Sequence, residues 1–159
     1  MKLFVVFVSL LFSLNLAAHD YQKNDLAIAH PWAPPTPPGS SVGAVYFELK
    51  NRGINADTLI GVEVAQSMAS SAQIHQTRYV NGVLQMRHAA DGTLLSGKSS
   101  TKFQPGGAHV MLIDLAQPLK LGDKFELVLV FQRHGRVTTQ VWVETPNENE
   151  PLSDYSHHH

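Results

Sequence analysis

His109 and Met111, two residues apart, interrupt the otherwise apolar run GGAHVMLIDL. In a strand, positions i and i+2 share one face, so this imidazole and thioether project together while Val110 and Leu112 point the other way. A second group of the same kind lies upstream, in QIHQTRYVNGVLQMRHA. There Asn81-Gly82 sits between apolar, β-branched runs, the preferred chemistry for a two-residue hairpin turn whose central residues need positive φ. That turn sets Val80 opposite Val83, Tyr79 opposite Leu84, Thr77 opposite Met86 and His75 opposite His88. His75, Thr77, Met86 and His88 then share a face, with His75 and Met86 diagonal neighbours about 7–8 Å apart at the backbone. If the strand carrying His109 and Met111 meets that face, two imidazoles and two thioethers converge. Such a set holds neither carboxylate nor thiolate, and its soft, uncharged sulfur selects Cu(I) over zinc, calcium or magnesium. A thioether binds without losing a proton, so much of the affinity is expected to persist at mildly acidic pH.

Taken singly, these residues have ordinary readings. A methionine in a strand is usually core filler, and a strand histidine is usually a surface or hydrogen-bonded residue. The H-x-M pair after PGG is a better signal, and the hairpin geometry adds to it. The absence of any cysteine rules out a blue-copper electron-transfer site, which requires a thiolate.

The elements that must position these side chains are strands. VGAVYFELKN (42–51) alternates, with Val45, Phe47 and Leu49 on one face and Ala44, Tyr46 and Glu48 on the other. DTLIGVEVA, SAQIHQTRYV, GVLQMRHA, AHVMLIDL, KFELVLVFQ and RVTTQVWVE are further β-rich runs, punctuated by Gly, Asn, Asp or Pro. A short apolar strand precedes the proline-rich stretch from Pro34 to Pro38, which reads as an extended surface loop. No helix-length amphipathic pattern is present. Seven or eight short strands of this kind predict an all-β sandwich or barrel.

The chain has 159 residues and a net charge of −1, which leaves no basic footprint for nucleic acid. Residues 1–18, MKLFVVFVSLLFSLNLAA, read as a signal peptide: Lys2 supplies the positive start, Leu3 to Leu16 the apolar segment, Ala17 and Ala18 the small residues before cleavage. The apolar segment is short for a membrane span of about 20 residues. Residues 19–146 then form one domain, and 147–159 a flexible, histidine-ended tail. The domain contains no cysteine, so no disulfide contributes to its stability.

The spacing H-x10-M-x22-H-x-M over His75, Met86, His109 and Met111 resembles the copper(I) site of the PCu(A)C-like periplasmic copper chaperones. HPWAPPTPPG, AVYFELKNRG, LIGVEVAQSMASSAQIHQT, GVLQMR, FQPGGAHVMLIDLAQPLKLGD and LVLVF follow that family's order over about residues 26 to 143. The resemblance implies a cupredoxin-like Greek-key β-sandwich binding one Cu(I) per chain through His75, Met86, His109 and Met111. It also implies a periplasmic, monomeric carrier, not an enzyme. Its cargo would pass by ligand exchange to a copper-accepting subunit or assembly factor of a respiratory haem-copper oxidase, as in CuA assembly. Copper sequestration for metal tolerance is the alternative role. A copper enzyme using an amino-terminal His19, and a purely structural adhesion sandwich, are readings from other classes.

The remaining histidines divide by context. His88 faces His75 but stands outside the family spacing, and reads as a surface residue or an assistant to a second metal state. His30 and Trp32 in HPW read as structural, Met68 as packing, and His134 as a solvated turn residue. His19 at a new amino terminus, and His157, His158 and His159 at the other end, offer weaker Cu(II) positions; the three terminal histidines also fit a purification-tag remnant.

Overall fold

The computed structural model describes residues 21–145; the signal segment, His19 and the tail with His157–His159 lie outside the described residues. Eleven strands make up the fold: β1 Tyr21–Lys23, β2 Leu26–Ala33, β3 Val42–Asn51, β4 Asp57–Val64, β5 Ala69–Val80, β6 Val83–His88, β7 Thr93–Leu95, β8 Ser99–Phe103, β9 His109–Leu115, β10 Lys124–Phe131 and β11 Gly135–Val143. No helix occurs among the described residues, as the missing 3.6-residue periodicity predicts. Three strands, β1, β7 and β8, exceed the expected set. They are three to five residues long. With little apolar alternation of their own, β7 and β8 form by pairing with β4 and β3.

The strands run in the order β6-β5-β9-β3-β2-β11-β10-β4-β7, with β1 on β2 and β8 on β3. β3 joins the two layers. Its first half, Val42 to Val45, pairs with β9, and its second half, Phe47 to Asn51, pairs with β8. The result is a cupredoxin-like sandwich with β2 and β11 pairing in parallel, Trp32 beside Trp142.

Strand alternation builds the core between the layers. Val45, Phe47 and Leu49 are buried on β3, as their spacing predicts, and meet Val110 and Leu112 of β9, Leu127, Leu129 and Phe131 of β10, and Val137 and Val141 of β11. Full burial of each large aliphatic side chain contributes about 1.5–3 kcal/mol. That face of β9 therefore cannot turn over, and His109 and Met111 are held on the outer surface.

The proline-rich loop is pinned: the Thr36 amide donates to the Leu119 carbonyl at 3.0 Å, and the Leu119 amide to Thr36 Oγ1 at 2.9 Å. Trp32 is buried and its ring lies 5.0 Å from that of Tyr46. His30, at a φ of 46° where β2 shifts register, pairs through Nε2 with Glu144 at 2.5 Å. Met68 packs against the core.

His134 departs from expectation. Its side chain is 8% exposed, not solvated, with Nδ1 2.6 Å from Asp57 Oδ2 and Nε2 2.7 Å from Asp25 Oδ1. A turn histidine is ordinarily solvated, but here two carboxylates distant in sequence, Asp57 at the start of β4 and Asp25 in the turn before β2, close over it.

Candidate metal centre

The hairpin forms in the register that its turn chemistry dictates. Asn81 and Gly82 take φ values of 52° and 78°, the mirror-image turn matching the strand twist. Val80 faces Val83, Tyr79 faces Leu84, Thr77 faces Met86 and His75 faces His88. On its other side β5 pairs with β9, and here the tertiary fold makes the decisive placement: His75 stands directly opposite His109, and Gln73 opposite Met111. The two segments that carry the candidate ligands are neighbours in one sheet and share its outer face.

The rings of His75 and His109 lie 5.7 Å apart, and those of His75 and His88 6.0 Å apart. Two imidazoles bound to one ion at a metal–nitrogen distance of about 2 Å have ring centres about 5–6 Å apart, so both pairs have the spacing of a chelate. Both methionines are diagonal to His75, but in opposite directions. Met86 sits level with Thr77 and Met111 level with Gln73. Four residues of strand separate those levels, about 13 Å. The structure thus gathers His75, His109 and Met111 in one patch and holds Met86 on the opposite diagonal, 65% exposed on the projecting hairpin.

Hydrogen bonds orient the two inner rings. His109 Nδ1 donates to the Gly107 carbonyl at 3.1 Å, which leaves Nε2 with its lone pair outward. Thr77 Oγ1 donates to the same carbonyl at 3.1 Å, tying β5 to the turn before β9. That turn closes with the Gly107 amide on the Gln104 carbonyl at 2.9 Å, Gly106 taking a φ of 77°. The PGG sequence therefore aims the ring of His109. His75 Nε2 donates to Gln73 Oε1 at 3.2 Å, so its Nδ1 carries the lone pair. Outer partners of this kind fix the tautomer and raise ligand basicity at metal sites.

Burial, then repulsion from His109 and His88, holds the imidazolium of His75 below its ordinary range. The neutral, metal-binding form is favoured. Tyr46 flanks the row, its ring 6.4 Å from His109, and Ala44 faces Met111 across the β3–β9 ladder with a single methyl.

No group of three or more His, Cys, Asp or Glu among the described residues is placed to hold a metal ion. The chemistry available on this face is that of imidazole with thioether, which suits a soft monovalent ion. Gln73 and Gly107 are absent from the sequence-derived candidates. Strand parity with His75, two residues on, is the signal that could have found Gln73; Gly107 acts through a backbone carbonyl, which side-chain chemistry does not reveal.

Comparison with known proteins supports the same fold. A family model described as LpqE-like matches residues 26–143. Protein Lxx21020 of Leifsonia xyli subsp. xyli, which carries a lipoprotein name, is 38% identical over 93 residues, 58% of this chain and 55% of that protein. The match thus spans about half the length of that relative. Among solved structures, the apo PCuAC domain from PmoF1 is similar at a TM-score of 0.66 and 29% identity, covering 80% of this chain and 100% of that one. The copper-bound PCuAC domain from PmoF2 gives a TM-score of 0.64 and 29% identity, covering 80% and 99%.

Proposed function

The chain belongs to the LpqE-like family and is similar in fold to PCuAC domains, one of them copper-bound, and from that premise we propose that it carries a single Cu(I) ion outside the cytoplasm and hands it to a copper-accepting subunit or assembly factor of a haem-copper oxidase. In this reading residues 1–18 direct export to the periplasm, 19–146 form the carrier domain, and 147–159 a tail whose histidines, with His19, bind Cu(II) more weakly. The protein acts as a monomeric carrier, not a catalyst.

His75, Met86, His109 and Met111 hold the ion. The observation that carries this reading is the opposed pair His75 and His109, their ring lone pairs freed by Gln73 and Gly107, with a methionine on each diagonal. His109 and Met111 come from rigid β9. Met86 comes from the exposed β5–β6 ribbon and completes the set when that ribbon bends toward His75. Four neutral ligands leave the positive charge of Cu(I) uncompensated. Thiolates of a recipient are stronger donors and displace them one at a time.

An anaerobic titration of the mature protein with Cu(I) against a competing chelator tests this, beside Met86→Ala and Met111→Ala. One tight equivalent, lost in both variants, is expected. Binding indifferent to both methionines would sink the assignment. Transfer to an isolated oxidase copper domain then separates delivery from sequestration, since a sequestering protein retains its ion.

A further inference from the structure

β6 carries Met86-Arg87-His88, and β9 carries His109-Val110-Met111. Both strands flank β5 antiparallel to it, so they run parallel to each other. His88 and His109 stand on either side of His75, level with it, while Met86 and Met111 occupy the two opposite diagonals. A half-turn about the sheet normal through His75 therefore exchanges one His/Met pair for the other. The inner group is His75, His109 and Met111; the outer group is His75, His88 and Met86.

We propose that His88 is a copper ligand of this chain, and that His75, His88 and Met86 form an outer position through which Cu(I) leaves. This deepens the carrier reading and rests on it. The ring separation of 6.0 Å between His75 and His88 nearly equals the 5.7 Å between His75 and His109, so the outer pair offers a comparable chelate. Its surroundings differ. His88 and Met86 are exposed on the edge strand of the sheet, where a partner has access, whereas His109 and Met111 are half-buried on an inner strand.

Release then proceeds around His75. The Cu–N bond to His109 and the Cu–S bond to Met111 break as a Cu–N bond to His88 forms, while the Cu–S bond to Met86 is kept. His75 stays bound, every ligand is neutral, and copper remains Cu(I), so no electron moves. The hairpin suits a thiolate acceptor: no carboxylate occurs between Glu63 and Asp91, and its charged residues are Arg78 and Arg87. A thiolate approaching Met86 meets a locally positive ribbon on a chain of net charge −1.

The test measures Cu(I) affinity by chelator competition and the rate of Cu(I) release to a small dithiol, in wild type, His88→Ala, His88→Met and, as a hairpin control, Gln85→Ala. His88→Ala is expected to keep the tight equivalent and to release it about tenfold more slowly. His88→Met, which restores a Cu(I) donor, and Gln85→Ala are expected to release at close to the wild-type rate. Nitrogen-15 chemical shifts of the His88 ring, followed on Cu(I) addition to His109→Ala, are expected to move. Release from His88→Ala at the wild-type rate, with the His88 ring nitrogens unmoved, overturns the outer position alone. Failure of the wild-type protein to bind Cu(I) at all overturns the carrier reading and this inference with it.

Discussion

His75 and Gln73, two residues apart on β5, are joined by a 3.2 Å hydrogen bond from the ring Nε2 to the side-chain carbonyl. The bond directs the lone pair of His75 to Nδ1, and it joins the residue opposite Met111 to the residue opposite His109. Orientation of the central imidazole is thus built into the strand that carries it.

Replacing Gln73 by Leu removes that acceptor while keeping the side-chain volume. The ring of His75 is then free to change tautomer and to rotate, and Cu(I) affinity is expected to fall about tenfold, the usual cost of losing an outer partner of a metal ligand. Thermal stability should be little changed, because Gln73 is half-buried on the outer face. Chelator competition beside a melting curve checks both; affinity equal to wild type would show that the hydrogen bond does not orient the ligand.

Alternation along β9 separates stability from binding at adjacent residues. Leu112 is fully buried and Met111 half-buried. Leu112→Ala is expected to cost about 3 kcal/mol through lost burial and a residual cavity, and to leave one Cu(I) bound below the melting transition. Met111→Leu should have the opposite effect, with a near-native denaturation midpoint and weakened copper binding. Urea unfolding and Cu(I) titration of the pair decide the matter, and a Met111→Leu protein that binds like wild type would count against thioether ligation there.

The hairpin turn offers a purely backbone test. Gly82 has a φ of 78° with nothing within 4 Å of an added Cβ, so Gly82→Ala meets strain without a clash. The left-handed conformation costs about 1–2 kcal/mol for a residue with a Cβ. Because the ribbon projects beyond the core, the cost should appear as faster amide hydrogen exchange over residues 76–88, with exchange in β10 and β11 unchanged. Uniform acceleration across the molecule would mean that the ribbon unfolds only with the whole domain.

His134 makes stability depend on pH. Burial pushes its pKa down, but the Asp57 and Asp25 carboxylates outweigh this and raise it above its ordinary 6.5. Burial pushes Asp57 up, and the His134 ring with the amides of Arg133, Thr58 and His134 outweighs that and holds it below 3.8; its partner Asp25 is lowered as well, first by the His134 bond. The histidine's contribution is complete below 6.5 and is lost as pH rises through its raised value. That of the carboxylates is complete above 3.8 and is lost as pH falls through their lowered values. Melting temperature should therefore peak between those two limits and decline toward alkaline pH. His134→Ala, which leaves Asp57 buried without its cation, should lose about 3 kcal/mol and the alkaline decline with it. An alkaline decline that survives in the variant would place its origin elsewhere.

What could be read directly from the residues was local. Asn81-Gly82 dictated the β5–β6 register because Asn tolerates positive φ and Gly, lacking a Cβ, adopts it freely, and Val45, Phe47 and Leu49 announced their buried face by alternation. Alternation also put His109 and Met111 on one face of β9. β7 and β8 were not legible, being segments of only three and five residues that become strands through their partners. His134 was not legible either, because Asp57 and Asp25 lie 77 and 109 residues away and only the tertiary fold brings them to it. The same limit applied at the candidate centre. Local pattern placed each histidine and methionine on a face, but not which strand lies beside which. Only the pairing of β5 with β9, set by burial of Ile74, Val110 and Leu112 beneath them, brought His75 against His109 and sent the two methionines to opposite diagonals.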